Sequence, residues 1–284
     1  MSVDLIQERL NAYHCQSVQE EESAVREIAQ EVILGGLSRA GFFKGAGFQG
    51  GSCLRILYGL DRFSEDLDFI LSEPNEKFRL EPYLEALNTE LKAYGFEFTI
   101  QDRKNAGTAV QKQFMKEDSW VKLLSFKHLK PGRDTRSVKI KIEIDTNPPA
   151  CGAFEVKYHD FPFPCEIAVQ DLPSLFAGKS HALLCREYVK GRDWYDFVWY
   201  VSRKTPVNYG FLSSAIDQQG PWKGQAVQVD KRWYLKEMEE RIKKIDVQQA
   251  KTDVKRFLKP RDLPSIEIWS TSFFLDRLGK FSNI

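Results

Sequence analysis

The stretch of this 284-residue chain that most restricts its possible folds lies between Phe42 and Leu71. Phe42 to Gln49 reads as a short strand that feeds the turn Gly50-Gly51-Ser52, and Cys53 to Tyr58 reads as a helix stopped by Gly59. Asp66 to Leu71 alternates acid and apolar residues before an apolar run, which at a period of two puts Asp66 and Asp68 on one strand face. A glycine turn lets backbone amides approach a phosphate with no Cβ in the way. The helix N-terminus behind it adds partial positive charge and the Ser52 hydroxyl. Asp66 and Asp68 suit Mg²⁺, a hard cation that prefers carboxylate and phosphate oxygens. Each half alone is weak, because most Gly-Gly-Ser sequences are only turns and most D-x-D strands only solvated faces. With fourteen positions from Ser52 to Asp66, the two halves together point to a site for phosphate and metal.

This pairing resembles the signature of polymerase-β-like nucleotidyltransferases. The fuller string of Gly50-Gly51-Ser52, Leu54-Arg55, Gly59, Arg62, Ser64 and Asp66-Leu67-Asp68-Phe69 resembles the first motif of the AbiEii/AbiGii toxin family. Lys179-Ser180-His181-Ala182-Leu183 and Arg192-Asp193-Trp194-Tyr195-Asp196 look like that family's lysine helix and R-D-x-x-D helix. The resemblance spans most of residues 40–200. It implies an α+β fold in which a nucleotidyltransferase core, a mixed sheet with helices over residues 1–170, is followed by a helical lobe, 171–284. The implied reaction moves a nucleoside monophosphate from an NTP to an RNA acceptor, with a tRNA 3′ end favoured, using one or two Mg²⁺. The chain would then be the toxin of a bacterial toxin–antitoxin or phage-defence pair with a cognate antitoxin protein. By the same resemblance Lys179 contacts the NTP phosphates, Asp193 lies in the active site and orients Lys179 or the acceptor, and Ser64 lies near the metal.

A third carboxylate is expected, because two-metal transfer in this superfamily commonly takes one from a neighbouring strand. Lys139 to Asp145 alternates strictly, so Glu143 and Asp145 share a face opposite three isoleucines. Both remain candidates, with Asp145 preferred as the more C-terminal acid. Arg55 and Arg62 flank the glycine turn. Structural ion pairs account for either, but Arg62 enters the D-x-D strand and is a candidate phosphate clamp. Downstream, Val121–Leu129 and Ser137–Asp145 read as a hairpin around Pro131-Gly132-Arg133-Asp134. Lys127, Lys130, Arg133 and Arg136 in it, with Trp120, Phe126 and His128 interleaved, make the mixture that tracks an RNA backbone and stacks on bases. A solvated charged face is the plainer alternative.

The rest of the chain is less specific. Two helices are expected in the first forty residues, a helix over 76–94, strands from Phe96 to about Val169, and helices after Asp171-Leu172-Pro173. Among the last, Tyr234, Met238, Ile242 and Ile245 fall at helical spacing. No apolar run approaches the ~20 residues of a membrane span, and the N-terminus lacks a secretory pattern, so a cytoplasmic protein is expected. The five cysteines have no C-x-x-C spacing and read as reduced, mostly buried thiols. A net charge of +1 leaves nucleic-acid binding to local patches. Two other readings remain: transfer to a protein hydroxyl, as in adenylylation, and a member that binds nucleotide or RNA without turnover.

Overall fold

The computed structural model describes residues 2–102, 119–128 and 136–283. It opens with the two expected helices, α1 (Ser2–Asn11) and α2 (Val18–Arg39). The Ser17 hydroxyl accepts the Glu20 amide at 3.2 Å, and Glu20 and Glu21 occupy the first turn, so capping and dipole together start α2. Its apolar face, including Ile28, Ala29, Val32 and Ile33, is fully buried. The helix also buries two acids. Glu31 pairs with Arg9 and lies 3.4 Å from His159, while Glu27 accepts from the Tyr13 hydroxyl and from Arg55, both at 2.8 Å. Because a buried carboxylate is tolerated only when hydrogen-bonded, these pairs fix α1 on α2 together with the buried Ile6 and Leu10.

The strand expected over 42–49 is shorter than its apolar pattern. Gly41 adopts φ +77° and turns the chain into a 3₁₀ segment, Phe42–Lys44, whose Phe42 ring packs edge-on to Phe69 at 5.0 Å. Only Ala46–Gln49 forms β1. Helix α3 (Gly50–Tyr58) ends on Gly59 at φ +74° as expected, but it starts at Gly50, so Gly50-Gly51-Ser52 form its first turn instead of a separate turn before Cys53. Strand β2 (Leu67–Leu71) follows, then α4 (Glu81–Ala93), which begins later than residue 76 because proline takes its first turn.

Five more strands follow: β3 (Phe96–Asp102), β4 (Ser119–His128), β5 (Arg136–Asp145), β6 (Phe154–His159) and β7 (Cys165–Gln170). Among the described residues they complete one sheet in the order β3-β4-β5-β2-β1-β7-β6. β2 runs antiparallel to β1 and parallel to β5, and β1 parallel to β7, so the sheet is mixed and the α+β class holds. β4 and β5 pair antiparallel from Ser119↔Asp145 to His128↔Arg136, the expected hairpin ladder.

The chain separates into two units. The first comprises Met1–Gly59, Phe63–Pro148 and Glu155–Val169; the second comprises Leu60–Arg62, Pro149–Phe154 and Gln170–Ile284. In the first, the buried faces of Phe48, Phe69, Ile142, Ile144 and Ile167 form the core of the sheet. The second is helical: α5 (Leu172–Cys185), α6 (Gly191–Ser202), α7 (Tyr209–Gln218), α8 (Lys231–Lys243), α9 (Val247–Lys255), the short α10 (Pro264–Glu267) and α11 (Thr271–Phe281). Its core is aromatic, with Phe176 stacked on Tyr200 at 4.4 Å and meeting Phe281 edge-on at 5.7 Å. Tyr234, Met238 and Ile242 are buried along α8, whereas Ile245 lies past its end. Among the described residues no helix is long and apolar enough to cross a membrane. All five cysteines are free; Cys53 and Cys165 are buried, but Cys151 is exposed.

Gly191, the first residue of α6, abuts α9 so closely that a Cβ there would run into the backbone carbonyl of Ala250. Backbone cannot swing aside as a side chain can. Gly191→Ala should therefore cost about 1–3 kcal/mol, read as a lowered denaturant midpoint, with the helical unit the first to lose protection from hydrogen exchange.

Candidate active site

In the first unit the site forms where α3 and the acidic strand meet. Gly50 has φ +78°, a conformation L side chains rarely adopt, and a Cβ there would fall onto the Asp68 carboxylate. Glycine is thus required twice, by backbone conformation and by proximity. Gln49, which precedes α3, makes no side-chain capping bond to the helix start. The start of α3 thus carries no capping bond from Gln49, and a helix start of this kind suits an incoming anion. Ser52, fully buried, donates its hydroxyl to the Asp66 carbonyl, so it ties the glycine turn to the acidic strand rather than facing outward.

Asp66 and Asp68 are both partly exposed while Leu67 and Phe69 are buried, the alternation a half-buried strand imposes. The parallel register with β5 decides which acid lies beside them. Asp68 is paired with Glu143, whereas Asp145 is paired with Ile70, one side-chain step further along. Asp145 Oδ1 also accepts the Asn147 amide at 3.1 Å, capping the turn after β5. The register therefore brings Glu143 closer to the D-x-D pair than Asp145, which had been preferred for its C-terminal position. Lys141 bonds Glu143 and feels both aspartates. Burial pulls its pKa down, but Glu143, Asp68 and Asp66 outweigh that and hold it above the ordinary lysine value.

The residues carry the oxygen donors a divalent ion requires. Among the described residues, however, no three His, Cys, Asp or Glu side chains converge closely enough to enclose one unaided. Such a partial set suits Mg²⁺, which is usually held by one or two carboxylates together with substrate phosphates and water.

Other expected residues of this unit are engaged within the protein. Arg55 pairs with Glu27 and lies 4.8 Å over the Phe63 ring. Ser64 accepts at its carbonyl from Gln30 at 3.4 Å. In the β4–β5 ladder Lys127 is paired with Ser137 and Arg136 with His128. Lys130 and Arg133 lie outside the described residues.

The second unit holds a separate charged cluster. Asp171 caps α5 by accepting the Ser174 amide at 2.9 Å, and α5 carries Lys179, while α6 carries Asp193 and Asp196. Lys179 Nζ lies 2.7 Å from Asp193 and 2.9 Å from Asp196. Arg186 bonds the other oxygen of Asp193. Arg62, only 2% exposed, is bidentate to Asp196 through two bonds of 2.6 Å. Its expected place as a phosphate clamp is thus corrected, since its guanidinium is buried in the helical unit. Asp196 is thus held by Arg62 and Lys179, and Asp193 by Lys179 and Arg186.

Burial alone would raise the pKa values of both acids. Lys179, Arg186 and Lys190 around Asp193, and Arg62 and Lys179 around Asp196, reverse that and hold both below the usual carboxylate range. Lys190, at the α6 N-cap, went unnoticed in the sequence. Burial drives its pKa down to about 8, against the opposing pull of Asp193. The only sequence signal for it was its place three residues before Asp193.

Because both folded-state pKa values are depressed, the stability these acids contribute is complete above the unfolded value of about 4 and is lost as pH falls below it. Denaturant titrations from pH 7 to pH 3 should show that loss, with a shallower decline in Asp193→Asn. At pH 7, Asp196→Asn should cost about 3–5 kcal/mol, since it leaves the buried Arg62 without its counter-charge. An unchanged midpoint would mean that the Arg62 pair does not support the fold.

The sequence matches the family described as nucleotidyl transferase AbiEii toxin, type IV toxin–antitoxin system, over residues 32–276. No curated protein matches it. Among solved structures it is similar to JHP933 from Helicobacter pylori, with TM-score 0.56 and 17% identity, covering 93% of this chain and 91% of that one. It is also similar to MenT4, a nucleotidyltransferase toxin from Mycobacterium tuberculosis, with TM-score 0.52 and 18% identity over 99% of both chains. A putative nucleotidyltransferase from H. pylori aligns at TM-score 0.50 and 16% identity, over 91% of this chain and 92% of that one. At such identities these likenesses speak for the fold, and the family match speaks for the chemistry. The family model spans most of the sequence, and the chain belongs to the AbiEii nucleotidyltransferase toxins of type IV toxin–antitoxin systems.

Proposed function

We propose that the protein transfers a nucleoside monophosphate from an NTP to an RNA acceptor, with a tRNA 3′ end as the favoured target, and that a cognate antitoxin opposes it. The observation that carries this reading is the approach of Gly50 to the Asp68 carboxylate, which puts an uncapped helix start and an acidic strand within one side chain of each other. An anion bound at those amides would lie beside the carboxylates, the arrangement a triphosphate and its counter-ion need. Asp66 and Asp68 are the metal ligands in this reading. Glu143 is the third carboxylate in preference to Asp145, because the register with β5 sets it opposite Asp68. Bound Mg²⁺ would neutralise charge on the reacting phosphate.

The protein's own groups do the rest. The amides of Gly50 and Gly51 hold phosphate oxygens, and Ser52 keeps the turn against the acidic strand through the Asp66 carbonyl. The acceptor hydroxyl attacks the α-phosphate in line, the α–β phosphoanhydride bond breaks, and pyrophosphate leaves. Lys179 is the cation proposed for the triphosphate, and Asp193 its orienting partner at 2.7 Å. That role rests on the family motif. The basic residues Lys127, Lys130, Arg133 and Arg136 serve the RNA backbone, a reading supported by their run in the sequence.

Asp66→Ala and Asp68→Ala should each lower transfer by more than about a hundredfold with little loss of folding stability. Wild-type rates in either variant would remove the acids from the site. Glu143→Gln should be more damaging than Asp145→Asn, and the reverse order would restore Asp145 as the third ligand. Lys179→Ala should cut activity severely and Lys179→Arg should not fully rescue it, because a planar fork cannot replace a compact ammonium. Incubation of the protein with total RNA and each labelled NTP in turn identifies donor and acceptor together, and label appearing only on protein would replace the RNA reading.

For the hairpin, reversing the charge of Lys127, Lys130, Arg133 and Arg136 should weaken RNA binding and flatten its salt dependence, since fewer counter-ions are released. NTP affinity should be unchanged. Unaltered RNA affinity and salt slope would return the run to a solvated face.

A further inference from the structure

Strand β6 ends the sheet. Among the described residues no strand pairs with its outer edge. The carbonyl of Ala153, just before the strand, accepts the Asp171 amide, just after β7, at 2.9 Å. Carbonyls alternate in direction along an extended strand, so those of Phe154, Val156 and Tyr158 point the other way, to the open edge. The same three residues are exposed, at 39%, 63% and 66%, although all are large and apolar. Their neighbours Glu155 and Lys157 lie on the opposite face, paired with each other at 3.1 Å, with the Tyr58 hydroxyl donating to Glu155 and Lys157 4.7 Å over the Tyr58 ring. Open, apolar edge strands are usually shortened, bulged or guarded by charge to prevent pairing. This one carries its charges on the face turned towards α3.

The order of residues indicates what covers the edge. Phe154-Glu155-Val156-Lys157-Tyr158 runs aromatic, acid, aliphatic, base, aromatic, and reads the same when reversed, with acid exchanged for base. We propose that β6 is a homodimerisation edge, on which a second copy of this chain pairs antiparallel about a two-fold axis through Val156. In that register Phe154 lies across from Tyr158 of the second copy, Val156 across from its own counterpart, and Glu155 across from Lys157. Aromatic pairs and opposite charges facing each other are the cross-strand contacts that stabilise antiparallel ladders. The register also agrees with the backbone. Val156 on the axis forms a hydrogen-bonded pair with its counterpart, as do Phe154 and Tyr158, because their carbonyls are the ones facing outward. A strand of unrelated sequence has no reason to match a pattern that complements itself. The contact is isologous, so it closes at two copies and does not propagate.

A ladder of five residues buries less than the ~1,200 Å² of a standard stable interface, so the pair should be weak. Sedimentation equilibrium of the full chain should show monomer near about 1 µM shifting to dimer near about 100 µM. Glu155→Lys puts like charges together twice across the axis and should weaken the dimer about tenfold. Lys157→Glu added to it restores the complement and should bring the dimer back to near the wild-type constant, which a role inside the monomer would not do. Because Glu155 also accepts from Tyr58, a thermal melt checks the fold of each variant, and Val156→Glu, at an exposed site, gives an independent test by setting two carboxylates on the axis. Its dimer should be lost with the melt unchanged. A chain that stays monomeric throughout, a dimer indifferent to Val156→Glu, a double exchange that fails to rescue, or growth into larger polymers would each overturn the proposal.

Discussion

The absence of a side chain at Gly50 is the constraint on which the first unit turns. Asp68 fills the space where a Cβ would stand, so the start of α3 and the acidic strand approach as closely as backbone permits. Ser52 adds a second tie through its bond to the Asp66 carbonyl, and β1 a third through the pairing of Gln49 with Asp68. In the proposed reaction an anion site and a cation site would thereby share one corner of the sheet. Such preorganisation makes charge stabilisation effective, because the dipoles need not reorganise as the reaction proceeds.

Lys141 shows how the protein tolerates that corner before substrate arrives. Three carboxylates side by side would repel one another and shift their own protonation. A lysine from β5, two residues before Glu143, stands among them and is itself held protonated by their field. The helical unit solves a related problem differently. It buries Asp193 and Asp196 almost completely and surrounds them with Arg62, Lys179 and Arg186. Buried ion pairs of this kind seldom add much net stability, but removing one partner is costly, so they hold a unique arrangement of side chains. Here the arrangement orients Lys179.

Arg62 departs from the rest of its motif. It sits in the first motif by sequence, four residues before Asp66, yet it belongs to the helical unit with Leu60 and Asp61. A three-residue excursion of this sort leaves no mark in composition or periodicity. Its consequence is that residues 60–62, between α3 and β2, answer to packing in the helical unit.

Much of this protein was determined by sequence alone. Gly59 set the stop of α3, the period of two put Asp66 and Asp68 on one face, and strict alternation made β5 a half-buried strand. These are local effects, decided by backbone conformation and side-chain direction within a few residues. Tertiary structure decided the rest. Whether Glu143 or Asp145 stands beside Asp68 depends on the register of β5 against β2, which brings together residues some 75 positions apart in the chain. Arg62 found its partner across 134 positions, and the Ser52 hydroxyl turned inward to a carbonyl fourteen residues on. The physical reason is the same in each case: a lone side chain's chemistry names its possible partners, but only the packing of distant segments, each satisfying its buried polar groups, selects which one it meets.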